Sequence, residues 1–173
     1  MKQILFCTIW IFIVFSSCNN YINNNTSTSG IEISELIKQA NDFYQKSNYE
    51  KAVMLYDRII AIDTTIGEVY YNRGYCNSQI DEYKKSVDDY LMAIKHGYKT
   101  KDAIFNLGFA YSLLENDTLA LKYFLKTLEL EPKQPDATLR VIEIKLKFAM
   151  IELYMKMGYS HEEACRKVKS DGH

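Results

Sequence analysis

The chain has 173 residues, of which 47% are hydrophobic and 25% charged, with 21 basic residues against 22 acidic ones. That balance suits one modest globular domain and gives no sign of the basic face that nucleic acid demands. Only two prolines and seven glycines interrupt it, a composition that favours long helices.

The N-terminus stands apart. Lys2 is followed by a mostly apolar run from Ile4 to Phe15, shorter than the roughly 20 residues of a membrane-spanning helix but matched to a signal-peptide core. Phe15-Ser16-Ser17-Cys18 comes next. Small residues directly before a cysteine at that place resemble the lipobox of bacterial lipoproteins, with Phe15 where leucine is usual. The resemblance implies a signal peptide over residues 1–17, cleavage before Cys18 and a lipid on Cys18. A plain secretory signal and an uncleaved anchor are the alternatives. Residues 18–31 are polar and low in complexity, and read as a flexible tether. Asn19 and Asn20 follow the cysteine instead of aspartate, and no acidic cluster does. By the same resemblance the expected place is the outer membrane, with the domain facing the periplasm.

From Ile33 the sequence repeats. Ala40, Gly74 and Gly108 are 34 residues apart, as are Tyr56, Tyr90 and Phe124, and Ala52, Ser86 and Ala120. Small and bulky residues each keeping their place at that period mark stacked helix–turn–helix units. The expected units are residues 33–66, 67–100 and 101–134. In the first, Leu36, Ala40 and Phe43 share one helical face. Ser47-Asn48 turns the chain, and a second helix carries Ala52, Leu55, Tyr56, Ile59 and Ile62. In the second unit, Gly97 sits where a left-handed helix cap is expected.

Three sets of residues carry a resemblance to the tetratricopeptide repeat. They are the bulky Leu36, Tyr70 and Ile104, the small Ala40, Gly74 and Gly108, and the triplets Ala52-Tyr56-Ile59, Ser86-Tyr90-Ala93 and Ala120-Phe124-Thr127, with Pro132 after the last. The fold class this implies is all-α, an α-solenoid. The small residue lets a second helix cross closely and the large aromatic fills the gap between units. Asn77 stands where Phe43 and Tyr111 sit, and if buried it needs a hydrogen-bond partner.

Residues 135–170 break the period, since Ile142 stands one repeat after Gly108. Asp136 is the expected cap of a long apolar helix. Gly158-Tyr159 then turns the chain, and Ser160-His161-Glu162-Glu163 has the form of a capping box opening a last helix. The reading is a fourth helical pair with a lengthened first helix. Its apolar residues exceed one stripe. Burial against the third unit and the last helix is the expectation; the alternative is an exposed strip over 136–157 through which the chain associates with itself or another chain.

No catalytic constellation is legible, so the chain reads as non-enzymatic, without cofactor or metal. His96, His161 and His173 lack metal-site spacing. Asp88-Asp89, Glu129 and Glu131 read as solvated. Cys76 and Cys165 read as two buried, unpaired thiols.

The resemblance also implies a concave wall built from first helices, contacting a protein or peptide through Ile37, Asn41, Tyr44, Tyr71, Asn72, Tyr75, Phe105, Asn106 and Phe109. Aromatic rings offer contact area and asparagines can hold an extended backbone; some of these rings could equally pack onto neighbouring helices. Chaperone-binding members of the family clamp a terminal carboxylate with two asparagines and three basic residues. Asn41 and Asn72 match the asparagines, while Ile37, Asp102 and Asn106 fill the basic places. A second reading is glycan binding by Tyr71, Tyr75 and Asn72.

Overall fold

A computed structural model describes residues 30–98 and 101–171. The signal-peptide and Cys18 expectations fall outside the described residues. Helix α1 spans 30–45, three residues earlier at its start than the sequence pattern placed it. The others are α2 (Tyr49–Ile62), α3 (Gly67–Gln79), α4 (Tyr83–Lys95), α5 (Lys101–Leu113), α6 (Asp117–Leu130), α7 (Pro135–Lys156) and α8 (His161–Asp171). They fall into two compact units, residues 1–65 and 66–173.

The period is written in the backbone. Ser47, Asp81 and Glu115 all take positive φ, at 55°, 62° and 56°. The next residue's amide then reaches back to close each first helix: Asn48 to the Phe43 carbonyl, Glu82 to Asn77 and Asn116 to Tyr111, each at 2.9 Å. This left-handed cap satisfies carbonyls that a helix end would otherwise orphan. Gly97 caps α4 in the same way with φ 89°, and the Tyr98 amide donates to the Ala93 carbonyl at 2.9 Å. A fourth first helix, α7, is closed by such a turn at Gly158, 43 residues after Glu115 instead of 34.

In the first unit, the repeat positions Ala40, Ala52, Tyr56 and Ile59 are all fully buried. Tyr56 Oη donates to Asn41 Oδ1 at 2.8 Å, which ties α2 to α1. In the second unit α3 packs on α4, α4 on α5, α5 on α6, α6 on α7 and α7 on α8. One core gathers Val87, Tyr90, Leu107 and Ala110, and another Ala120, Phe124, Val141 and Ile144. Glycine is needed where these helices cross. A Cβ on Gly74 would stand 3.0 Å from Asp89 Cβ, and one on Gly108 would stand 3.0 Å from the Phe124 ring.

Three sequence expectations are corrected. Asp89 is not solvated: it is 3% exposed, beneath Arg73, whose Nε lies 3.1 and 3.0 Å from its two oxygens and whose Nη2 lies 2.5 Å from Oδ1. Asn77, which is also buried, donates to Asp89 Oδ2 at 2.8 Å. The polar residue in an aromatic place thus belongs to a buried ionic network, because a desolvated carboxylate needs every donor within reach. The cap of α7 is Gln134, with Pro135 opening the helix and Asp136 in its first turn; proline suits that first position because its missing N–H would be unpaired anyway.

The third correction concerns α7 itself. It runs 22 residues, against 13 or 14 for α2 to α6, and buries only Ala137, Val141 and Ile144. The residues between third unit and last helix do not absorb its apolar surface. Ile142, in the place of Gly108, is 50% exposed because no second helix crosses it. Helix α8 comes too late, held by the expected capping box, in which Ser160 Oγ accepts from the Glu163 amide at 3.3 Å and Glu163 Oε2 accepts from the Ser160 amide at 2.9 Å.

Candidate functional site

A cleft of about 250 Å³ opens between α3, α5 and α7 of the second unit, with Tyr90 of α4 at its base. Helix α3 brings Tyr75, Ser78 and Gln79 to it; α5 brings Phe105, Asn106 and Phe109; α7 brings Asp136, Leu139 and Arg140. The successive first helices stand side by side because each second helix wedges behind them on the small residues Gly74 and Gly108.

The walls are apolar and their polar groups are set in place by neighbours. The Phe105 ring leans on Phe124, centroids 5.4 Å apart. Arg140 lies over the Phe109 ring at 5.5 Å, a cation–π contact, and its Nη1 donates to Glu143 at 3.1 Å. Asn106 Nδ2 donates to Tyr71 Oη at 3.2 Å. Burial pushes the Tyr90 phenol up, so the base of the cleft stays neutral. Rings, two amides, the Ser78 hydroxyl and one charge of each sign in a small apolar concavity suit the recognition of an organic segment.

All nine residues singled out in the sequence are half-buried. Tyr75, Phe105, Asn106 and Phe109 converge on the cleft. Tyr71 does not: its ring packs against Tyr90 at 5.7 Å and Tyr98 at 5.2 Å. Asn72 lies outside the cleft lining as well. Ile37 and Asn41 line a separate, open depression along α1 with Phe43, where the acceptor oxygen of Asn41 is taken by Tyr56. The Tyr44 ring meets Tyr49 edge-on, centroids 6.3 Å apart.

Sequence reasoning missed the α7 contribution. Leu139 and Arg140 stand one 34-residue period after Phe105 and Asn106. Extending the repeat by position would have found both, but Ile142 in the glycine place hid the continuation.

Among the described residues no group of three or more His, Cys, Asp or Glu could hold a metal ion, and no helix is long and apolar enough to cross a membrane. Cys76 and Cys165 are both free; Cys165 is half-exposed instead of buried.

Residues 102–134 match the tetratricopeptide repeat family. The fold is that of a tetratricopeptide-repeat protein. The second tetratricopeptide-repeat domain of human RPAP3, solved with an HSP70 peptide, superposes with a TM-score of 0.62 at 26% identity over 68% of this chain and 98% of that one. The Yersinia enterocolitica type III secretion chaperone SycD, solved with a peptide of the translocator YopD, gives 0.60 at 18% identity over 66% of this chain and 92% of that one. In sequence, human tetratricopeptide repeat protein 28 is 28% identical over 122 residues, 70% of this chain. The chain spans only 5% of that relative's length.

Proposed function

We propose that this protein is a non-enzymatic scaffold that holds a peptide segment of a protein partner in the α3–α5–α7 cleft. The observation that carries the reading is the convergence of Tyr75, Phe105 and Phe109 with Asn106, Asp136 and Arg140 around one small cavity. An apolar side chain of the partner fits between the rings. Asn106 and Arg140 offer donors to its backbone carbonyls or to a carboxylate, and Asp136 accepts from an amide or a cation. Two tetratricopeptide neighbours were solved holding peptides, one from HSP70 and one from YopD, which supports peptide binding as a use of this fold. The HSP70-type carboxylate clamp does not carry over, because Ile37, Asp102 and Asn106 occupy its basic places.

The finer reading is a lipoprotein: Phe15-Ser16-Ser17-Cys18 after an apolar run supports lipid on Cys18, an outer-membrane anchor and a periplasmic domain. There the scaffold would serve as an accessory subunit of an envelope assembly. The glycan reading rests on Tyr71, Tyr75 and Asn72, of which Tyr71 is already packed between two tyrosines, and no observation favours it.

Cross-linking the full chain in membranes and identifying the captured proteins tests the cleft. One stoichiometric partner lost on combining Tyr75→Ala with Phe109→Ala is the expected result; unchanged capture overturns the assignment. Anchoring is tested separately by Cys18→Ser, which should move the protein from the membrane to the soluble fraction.

A further inference from the structure

Helix α7 has two opposite apolar faces, and among the described residues only one is packed against neighbouring helices. Ala137, Val141 and Ile144 are buried, the last two in the core around Phe124. On the reverse lie Leu139, Ile142, Leu146, Met150, Leu153 and Met157, exposed by 53, 50, 59, 37, 58 and 63%. At 3.6 residues per turn these six fall within an arc of about 80°. They form one straight stripe along the helix. A repeat stack ordinarily closes with polar faces outward; this face of α7 carries leucine, isoleucine and methionine instead.

The stripe reads the same in both directions. From Leu139 to Leu153 its members are spaced three, four, four and three residues apart, symmetric about Leu146. We propose that this face is covered by the α7 of a second copy of the chain, running antiparallel, with the two-fold axis at Leu146. In that register Leu146 meets its own counterpart, Ile142 meets Met150 of the second copy, and Leu139 meets Leu153. A two-fold contact requires such self-complementarity.

The edges of the stripe are mixed in charge. Glu143 and Lys147 lie along the same edge of the stripe, and a two-fold brings that edge against itself. Glu143 of each copy then falls within two residues, about 3 Å of helix rise, of Lys147 in the other, while within each copy Glu143 also pairs with Arg140 and Lys147 with Asp117. Lys147 nears its own counterpart by the same two residues, and on the opposite edge Lys145 nears its own, so lysine meets lysine along both edges in this register. In area the five symmetric side chains expose roughly 500 Å² per copy, so a pair that covered them would bury about 1,000 Å², the lower end for a specific interface. The surface is independent of the rings that carry the peptide reading, though Leu139 borders both.

Disulfide trapping of the full chain in intact membranes, in a Cys165→Ser background, reads the register directly. Leu146→Cys should give a covalent dimer on mild oxidation, far above the baseline of the parent chain. Leu139→Cys alone should not, because its two copies would lie about 20 Å apart; mixed with Leu153→Cys it should. A parallel pair would trap both single variants, and a face covered by lipid or by a different protein would trap neither; either result overturns the proposal. Leu146→Glu should weaken self-association at least tenfold while helicity is unchanged. Loss of partner capture with dimer trapping intact would instead count against the cleft.

Discussion

Arg73 on α3 grips Asp89 on α4 with two nitrogens, in a site where the aspartate side chain is 4% exposed and the arginine 20%. The pair replaces apolar packing at the crossing next to Gly74, and Asn77 completes it. A buried ion pair is weak evidence for net stability, but breaking one side of it is costly.

Arg73→Leu leaves the Asp89 carboxylate desolvated with the Asn77 amide, and should lower stability by about 3–5 kcal/mol. Adding Asp89→Leu removes the stranded charge and should recover most of that loss. Urea midpoints of the two variants check it; a double variant no better than the single one would show that the pair's geometry, not its charge balance, holds the crossing.

Gly108→Ala sets helix propensity against space. The added methyl gains about 1 kcal/mol in an α-helix, but it meets the Phe124 ring at 3.0 and 3.1 Å, and that ring is fully buried. The net should be a loss of about 1–2 kcal/mol. Phe124→Leu in the same chain should couple favourably with Gly108→Ala, measured as a double-mutant cycle.

Ser47 holds φ at 55° without needing its side chain for the cap, whose hydrogen bond is made by backbone. Ser47→Gly should therefore stabilise the chain, by about 0.5–1 kcal/mol after the entropy cost of glycine is subtracted. Thermal midpoints read the sign.

Burial pushes the Cys76 thiol up to about 12 from an ordinary 9.0. A group raised on folding contributes stability that is full below its unfolded value and lost as pH rises toward its folded one. Stability should accordingly fall between pH 9 and 12, and Cys76→Ala should flatten that part of the profile. At pH 8 a thiol reagent should label Cys165 and spare Cys76 until the chain unfolds.

Helix α8 is held by exposed carboxylates whose titration is lowered by their partners: Glu115 by Lys169 at 2.7 Å, Glu163 by Ser160, and Asp171 by Tyr154. Groups depressed on folding give stability above their unfolded values that disappears as pH falls through the folded ones. Below about pH 4 α8 should detach before the rest unfolds, seen as early exchange of its amides. Lys169→Ala should move that step to higher pH.

The repeat was legible because its signals are local. Small and large residues in fixed places dictate which helices can cross, and the left-handed turns at 47, 81 and 115 fall at the same period. The Arg73–Asp89 pair was not legible, since a solvated Asp88 and a buried Asp89 look alike until the helix is rotated onto its neighbour. In the cleft, the α3 and α5 contributions followed from repeat position, and those of α7 were lost where the period broke. Tyr71 shows the other limit: an aromatic at a wall position can spend its face on neighbouring tyrosines.

Leu139 is both a wall of the cleft and the first member of the outer stripe. A guest that presses on it from inside therefore acts on the same side chain as a second copy approaching from outside. Thermodynamic reciprocity then applies: whatever factor occupancy imposes on self-association, self-association imposes on occupancy. The protein's own concentration would then become one of the variables that set its affinity for a bound peptide.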